Sequence, residues 1–119
     1  MTRPSPLPHD ERRGTPRFKL VIRGRLLLPD RKDFIEFRTS DLSMGGVGIV
    51  HDQLLPAGAL ARIGMMLMPD GVPEPFEAEV RIQHSTFGAM VLRTGLQFVG
   101  MSPEHLALLK RMLDVGTRM

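Results

Sequence analysis

From residue 18 onward, apolar and polar side chains alternate. Phe18, Leu20, Ile22, Leu26 and Leu28 share one parity, and Lys19, Arg23 and Arg25 take the other. A period of two is that of a strand with one face in and one face out. Gly24 interrupts the inner row, as glycine does at a bulge or a tight coil. Residues 29–33 supply a turn. A second strand is predicted over about 34–40, with Ile35 and Phe37 against Glu36 and Arg38, and a short third strand over 47–50. After a loop over 52–58, residues 60–68 read as a strand partly covered on both faces. A turn at 69–71 follows. Phe76, Ala78, Val80, Ile82 and His84 then alternate against Glu77, Glu79, Arg81 and Gln83. Residues 85–88 read as the next turn, and Met90, Leu92, Leu96 and Phe98 as a last inward row.

The period changes at Ser102. Ser102 suits a helix cap, Pro103 the first helical position, and Glu104 the positive end of the helix dipole. Leu106, Leu109, Met112 and Leu113 recur at helical spacing. A helix over about 103–114 is predicted, stopping near Gly116. Six short strands and one terminal helix predict a mainly β domain, a small antiparallel barrel or sandwich. A closed sheet also removes exposed edges.

At 119 residues the chain has room for one domain with a modest core. Residues 1–11 hold three of its ten prolines and little to bury, and read as a flexible arm ahead of a domain over 12–115. The arm lacks the apolar centre of a secretory signal, and no apolar run reaches the ~20 residues of a membrane helix. A cytoplasmic protein without membrane insertion is the expectation. There is no cysteine, which excludes disulfides and thiolate metal sites. The net charge is +3, and 13 of the 16 basic residues are arginine. Arginine favours planar, two-pronged recognition over diffuse attraction.

Two short segments carry most of the chemical information. Arg12-Arg13-Gly14-Thr15-Pro16-Arg17 sets forked cations four residues apart, and Asp41-Leu42-Ser43-Met44-Gly45-Gly46 reads Asp-x-Ser-x-x-Gly. Taken singly, the first is a solvated basic loop or a phosphate grip, and the second an ordinary turn or a ligand cradle. Gly14 and Pro16 rule out a helical face for the arginines. Taken together they gain weight, because one hairpin separates them and antiparallel pairing sets Arg17 beside Asp41. Arginine can hold two phosphate oxygens or lie flat on a purine. A carboxylate accepts from two adjacent N–H groups, as acidic side chains do at base edges.

With these two motifs in this order, the chain resembles the PilZ domain family of bacterial cyclic di-GMP receptors, as a stand-alone single-domain member. The resemblance runs from about Arg12 to Leu113 and includes the strand Thr94-Gly95-Leu96-Gln97-Phe98 and the closing helix. It implies a six-stranded antiparallel barrel with a C-terminal helix. It also implies that Arg13 and Arg17 grip phosphates and a guanine, and that Asp41 reads a guanine edge. Ser43 would reach a phosphate or sugar, with Gly45 and Gly46 forming the turn. Arg12 is similar to the extra arginine that in this family favours two stacked ligand molecules.

The expected function is a cyclic di-GMP receptor and adaptor. Ligand would clamp the arginine arm onto the barrel and change a surface offered to an unidentified protein target. Alternatives are a small nucleic-acid-binding barrel and a PilZ-like adaptor with little ligand dependence. The chain has no Tyr or Trp for base stacking, which weighs against a nucleic acid polymer. No cofactor, metal or catalytic residue is expected. The four histidines have no metal-ligand spacing, Glu77 and Glu79 share a solvated face, and Ser43 lacks a nucleophile's setting.

Overall fold

The structure, a computed structural model, describes residues 17–118. Among the described residues, six strands, β1 (Arg23–Leu27), β2 (Ile35–Leu42), β3 (Gly46–His51), β4 (Leu60–Leu67), β5 (Glu74–Gly88) and β6 (Val91–Gly100), precede one helix, α1 (Pro103–Arg118). The strands close into a barrel in the order β1-β2-β3-β6-β5-β4, each pair antiparallel. The expected six-stranded antiparallel barrel with a C-terminal helix is therefore the observed fold.

The inward rows fill the barrel. Leu26, Ile35, Leu42, Ile49, Ile63, Phe76, Val80, Ile82 and Leu96 are buried, and Phe76 meets Phe98 edge to face at 5.7 Å between ring centres. The helix covers part of the wall through Leu108, Leu109 and Leu113. Its start follows the capping rule: Ser102 Oγ accepts from the His105 N–H at 3.2 Å, and the Ser102 carbonyl accepts from the Leu106 N–H at 2.9 Å. Arg111 ties the helix to the β4–β5 connection, donating to Glu74 at 2.6 Å and Asp70 at 3.0 Å. No helix among the described residues is long and apolar enough to cross a membrane.

Five local expectations are corrected. Residues 18–22 alternate as read, but only Phe18 bridges β2, and the first regular strand begins at Arg23. Residues 85–88 are strand, and the hairpin turns at Ala89 and Met90, both with positive φ (52° and 70°). Met90, expected inward, is 87% exposed at that tip. His84, expected inward, is exposed, because the β5–β6 register shifts between Ile82 and Ser85 and so breaks the parity. The helix also runs on past Gly116. Glycine weakens a helix without removing a backbone donor, and no proline follows it.

Candidate functional site

The site is built by an irregularity in β2. Thr39 pairs with Ile49 and Asp41 with Gly48, so Ser40 is an extra residue. Thr39 and Leu42 both point inward, at 2% and 0% exposure. In a bulge the two residues opposite one partner turn toward the same side. Ser40 and Asp41 accordingly both stand over Gly48: a Cβ there would lie 2.7 Å from Ser40 Oγ and 3.0 Å from Asp41 Oδ1. Without the bulge, strict alternation would send Asp41 into the barrel. The Gly48 N–H donates to Asp41 Oδ1 at 3.1 Å and fixes the carboxylate.

Arg17 reaches this carboxylate because the preceding segment is fastened along β2. Phe18 and Leu42 exchange N–H···O bonds of 2.9 Å in both directions. Thr39 holds the stretch between. Its N–H donates to the Ile22 carbonyl at 2.9 Å, its Oγ1 accepts from the Ile22 N–H at 2.8 Å, and its hydroxyl donates to the Leu20 carbonyl. One residue before Phe18, Arg17 Nη2 donates to Asp41 Oδ1 at 2.6 Å. The two side chains are 42% and 29% exposed, so the pair lies open to solvent. The structure therefore brings together residues 24 positions apart. Arg12 and Arg13 lie outside the described residues.

Ser43, Gly45 and Gly46 form the connection to β3. Ser43 is 2% exposed. Its Oγ accepts from the Gly45 and Gly46 N–H groups at 3.2 Å each, and its own N–H donates to the Gly46 carbonyl at 2.9 Å. The expectation gave this hydroxyl a phosphate or sugar, whereas as placed it holds the turn. Gly45 is exposed, and its carbonyl accepts from the Phe98 N–H at 3.0 Å. Gly46 is buried against β6. A Cβ there would collide with the Leu96 carbonyl oxygen and lie 3.2 Å from its carbon and 3.3 Å from Gln97 Cα. Close backbone approach, not a left-handed φ, is what requires glycine here.

Gly48 and Gly95 pair across β3 and β6, so two outward positions beside Asp41 carry no side chain. Gln83 reaches over Gly95, its Oε1 standing 3.2 Å from where a Cβ would lie. The result is a strip of bare backbone bordered by Arg17, Asp41, Ser40 and Gln83. Sequence reasoning passed over Ser40, Gly48 and Gly95. The available signal was the alternate glycines Gly46 and Gly48 in one short strand. An exposed fork of N–H donors beside an exposed carboxylate, next to flat backbone, suits a planar ligand that offers both an anion and an N–H edge.

Behind the site, inside the barrel, His51 Nε2 lies 2.6 Å from Thr94 Oγ1, which lies 2.6 Å from Ser85 Oγ. Burial pushes the His51 pKa below its ordinary 6.5, against smaller opposing effects of the Gln53 backbone and the Asp52 charge. Among the described residues no group of three or more His, Cys, Asp or Glu side chains is placed to hold a metal ion.

No curated protein matches the chain. Among solved structures, the Bacillus subtilis inhibitor of motility MotI/DgrA superposes with a TM-score of 0.75 at 18% identity, over 90% of this chain and 52% of its own length. Escherichia coli YcgR in complex with c-di-GMP gives 0.73 at 24% identity, over 90% and 46%. The chain thus spans about half the length of these two proteins. The separate PilZ domain of Escherichia coli YcgR with c-di-GMP gives 0.67 at 20% identity, over 90% and 92%. At these identities the likeness is one of fold, and it agrees with the barrel built above. The family model described as "PilZ domain" matches residues 11–114, nearly the whole chain, and by that match the protein belongs to the PilZ domain family.

Proposed function

We propose that this chain is a receptor, not a catalyst, whose ligand is cyclic di-GMP (c-di-GMP). The observation that carries the reading is the contact between Arg17 and Asp41 on an open face of the barrel, 24 residues apart in sequence and 2.6 Å apart in space. In this reading a guanine edge donates to Asp41, while Arg17, with Arg13 four residues upstream, takes a phosphate and stacks on a base. Four residues span at most about 14 Å, so Arg13 stays within reach of a ligand held at Arg17. Gly48 and Gly95 give a nucleobase flat backbone to approach. Ser43 serves by shaping the turn, and Gly46 by letting β3 close on β6. Arg12 is the residue to which a second stacked ligand is assigned. The Escherichia coli YcgR structures hold c-di-GMP in this fold, which supports the choice of ligand.

Binding would clamp the arginine arm over the face of Asp41 and change the surface offered to a protein target. Isothermal titration with c-di-GMP tests the proposal and reads the stoichiometry at once. Arg17→Ala should abolish the heat of binding while leaving the melting curve nearly unchanged, since an exposed ion pair contributes only about 0–1 kcal/mol. Absence of binding heat from the wild-type chain at high micromolar ligand would sink the assignment.

A further inference from the structure

The barrel wall carries a second line of cations that the site above does not use. Arg23 pairs with Arg38, Arg38 with Val50, and Val50 with Arg93. Directly opposed residues of antiparallel strands share a face, so three arginines and one valine form a row across β1, β2, β3 and β6. All three arginines are exposed, and none of their guanidinium groups makes an ion pair or hydrogen bond with a described residue. Like charges set directly opposite on a sheet are unfavourable, and the fold gains nothing from them. One outward step along the strands the sign changes. Arg25 pairs with Glu36, Asp52 lies two residues beyond Val50, and Phe34 is exposed beneath the Arg25 guanidinium at 5.2 Å. An open groove of about 720 Å³ is lined by Arg23, Arg38 and Val50 of the first row and by Arg25, Glu36 and Asp52 of the second, with Arg93 beyond its end.

We propose that this wall docks a protein segment that presents a line of carboxylates to Arg23, Arg38 and Arg93 and a cation to Glu36 and Asp52. Neighbouring strands lie about 4.8 Å apart, which places Arg23 about 5 Å from Arg38, and Arg38 about 10 Å from Arg93. An extended segment crossing the strands repeats its same-side residues every 6.5–7 Å or so, close enough for flexible arginines to meet alternate acidic residues. The mixed sign selects a protein over other anions. A nucleic acid strand or an anionic bilayer presents one charge throughout and would be repelled by Glu36 and Asp52. The barrel is closed, so the segment cannot add as a strand, and recognition runs through side chains. This inference stands whether or not the chain binds c-di-GMP.

The probe is a fluorescein-labelled octapeptide alternating glutamate and valine and ending in lysine, read by anisotropy at low ionic strength (about 0.03 M), where exposed charges are little screened. The Arg23→Glu/Arg38→Glu protein should bind at least tenfold more weakly than wild type, and Arg23→Gln/Arg38→Gln should fall between. A Lys19→Glu/Lys110→Glu protein has the same net charge as the first variant and should lose less than threefold. Equal losses in the two reversed proteins would reduce the effect to overall charge and overturn the proposal. So would a single-stranded oligothymidylate or phosphatidylserine vesicles binding through Arg23 and Arg38 more tightly than the peptide. All variants change exposed residues, and unchanged melting curves verify that the barrel is intact.

Discussion

The two glycines that end the Asp-x-Ser-x-x-Gly segment look interchangeable in sequence, and the structure separates them. Consider Gly46→Ala. The new Cβ would strike the Leu96 carbonyl oxygen, with the Leu96 carbonyl carbon at 3.2 Å and Gln97 Cα at 3.3 Å. All three atoms are backbone of β6, so no rotamer change can give way. The start of β3 has to retreat, and with it the bonds that close the turn: Ser43 N–H to the Gly46 carbonyl, Gly46 N–H to Ser43 Oγ, and Phe98 N–H to the Gly45 carbonyl. At roughly 1 kcal/mol net for each of these bonds the loss is about 3 kcal/mol, at the upper end of the 1–3 kcal/mol range for overpacked sites. With about 2.1 cal/mol/K of unfolding entropy per residue, a chain of this length should melt about 12 °C lower.

Gly45→Ala is the internal control. Its Cβ would have Ser43 Oγ at 4.0 Å as its nearest neighbour, and the residue is exposed. Loss of glycine's freedom in the unfolded chain offsets any small cost, so the change should stay within about 0.5 kcal/mol, or 2 °C. Thermal melts and urea titrations of the two variants decide the matter. Should Gly46→Ala melt within 2 °C of wild type, or should the two variants fall together, the claim that backbone approach sets this position is wrong.

Three further outcomes are expected. Thr39→Val keeps the shape but leaves the Ile22 N–H and the Leu20 carbonyl without the Thr39 hydroxyl; unfolding free energy should drop by about 2–4 kcal/mol, and c-di-GMP affinity should drop with it as Arg17 loses its anchor. Asp41→Asn should lower c-di-GMP affinity at least tenfold by titration calorimetry while moving the melting temperature by less than about 4 °C, since the lost pair is exposed. The His51 pKa is lower in the folded chain than in the unfolded one, so stability is greatest above 6.5 and declines as pH falls from there toward the folded value; His51→Gln should flatten that part of a melting-temperature profile taken between pH 7 and 5.

Much of this architecture is readable from alternation alone, because in a small barrel each inward residue is buried whatever its neighbours do. Ile35, Phe37, Phe76, Ala78, Val80 and Ile82 fall where parity puts them. The meeting of Arg17 with Asp41 also follows from pairing one hairpin. What parity cannot show is where it breaks. Ser40 adds a residue to β2 without any glycine or proline to mark it, and that extra residue is what turns Asp41 outward. The β5–β6 hairpin misleads in the opposite sense. Turn formers sit at 85–88, but the chain reverses at Ala89 and Met90, residues with no preference for positive φ. Segment 18–22 keeps strand alternation although the Thr39 side chain replaces part of its ladder, an exchange that no local pattern records.

The geometry also limits how a ligand-driven switch could work here. Asp41 is oriented by the Gly48 N–H, and Arg17 is placed by the Phe18–Leu42 bridge, so each is held by backbone rather than by its partner. Their mutual bond is exposed and contributes only about 0–1 kcal/mol. A ligand that takes the carboxylate with its N–H edge and the guanidinium with its phosphate therefore breaks little and finds both groups already in position. The cost of binding then falls on whatever has to be ordered. Because Phe18 is fastened to β2 by two backbone bonds, residue 18 marks the boundary from which the chain is already held against the barrel. Severing the Thr39 fastening should move this boundary deeper into the chain and lower affinity without altering a single group that touches the ligand. The Thr39→Val titration would register that effect, and full affinity in that variant would show that the fastening plays no part in recognition.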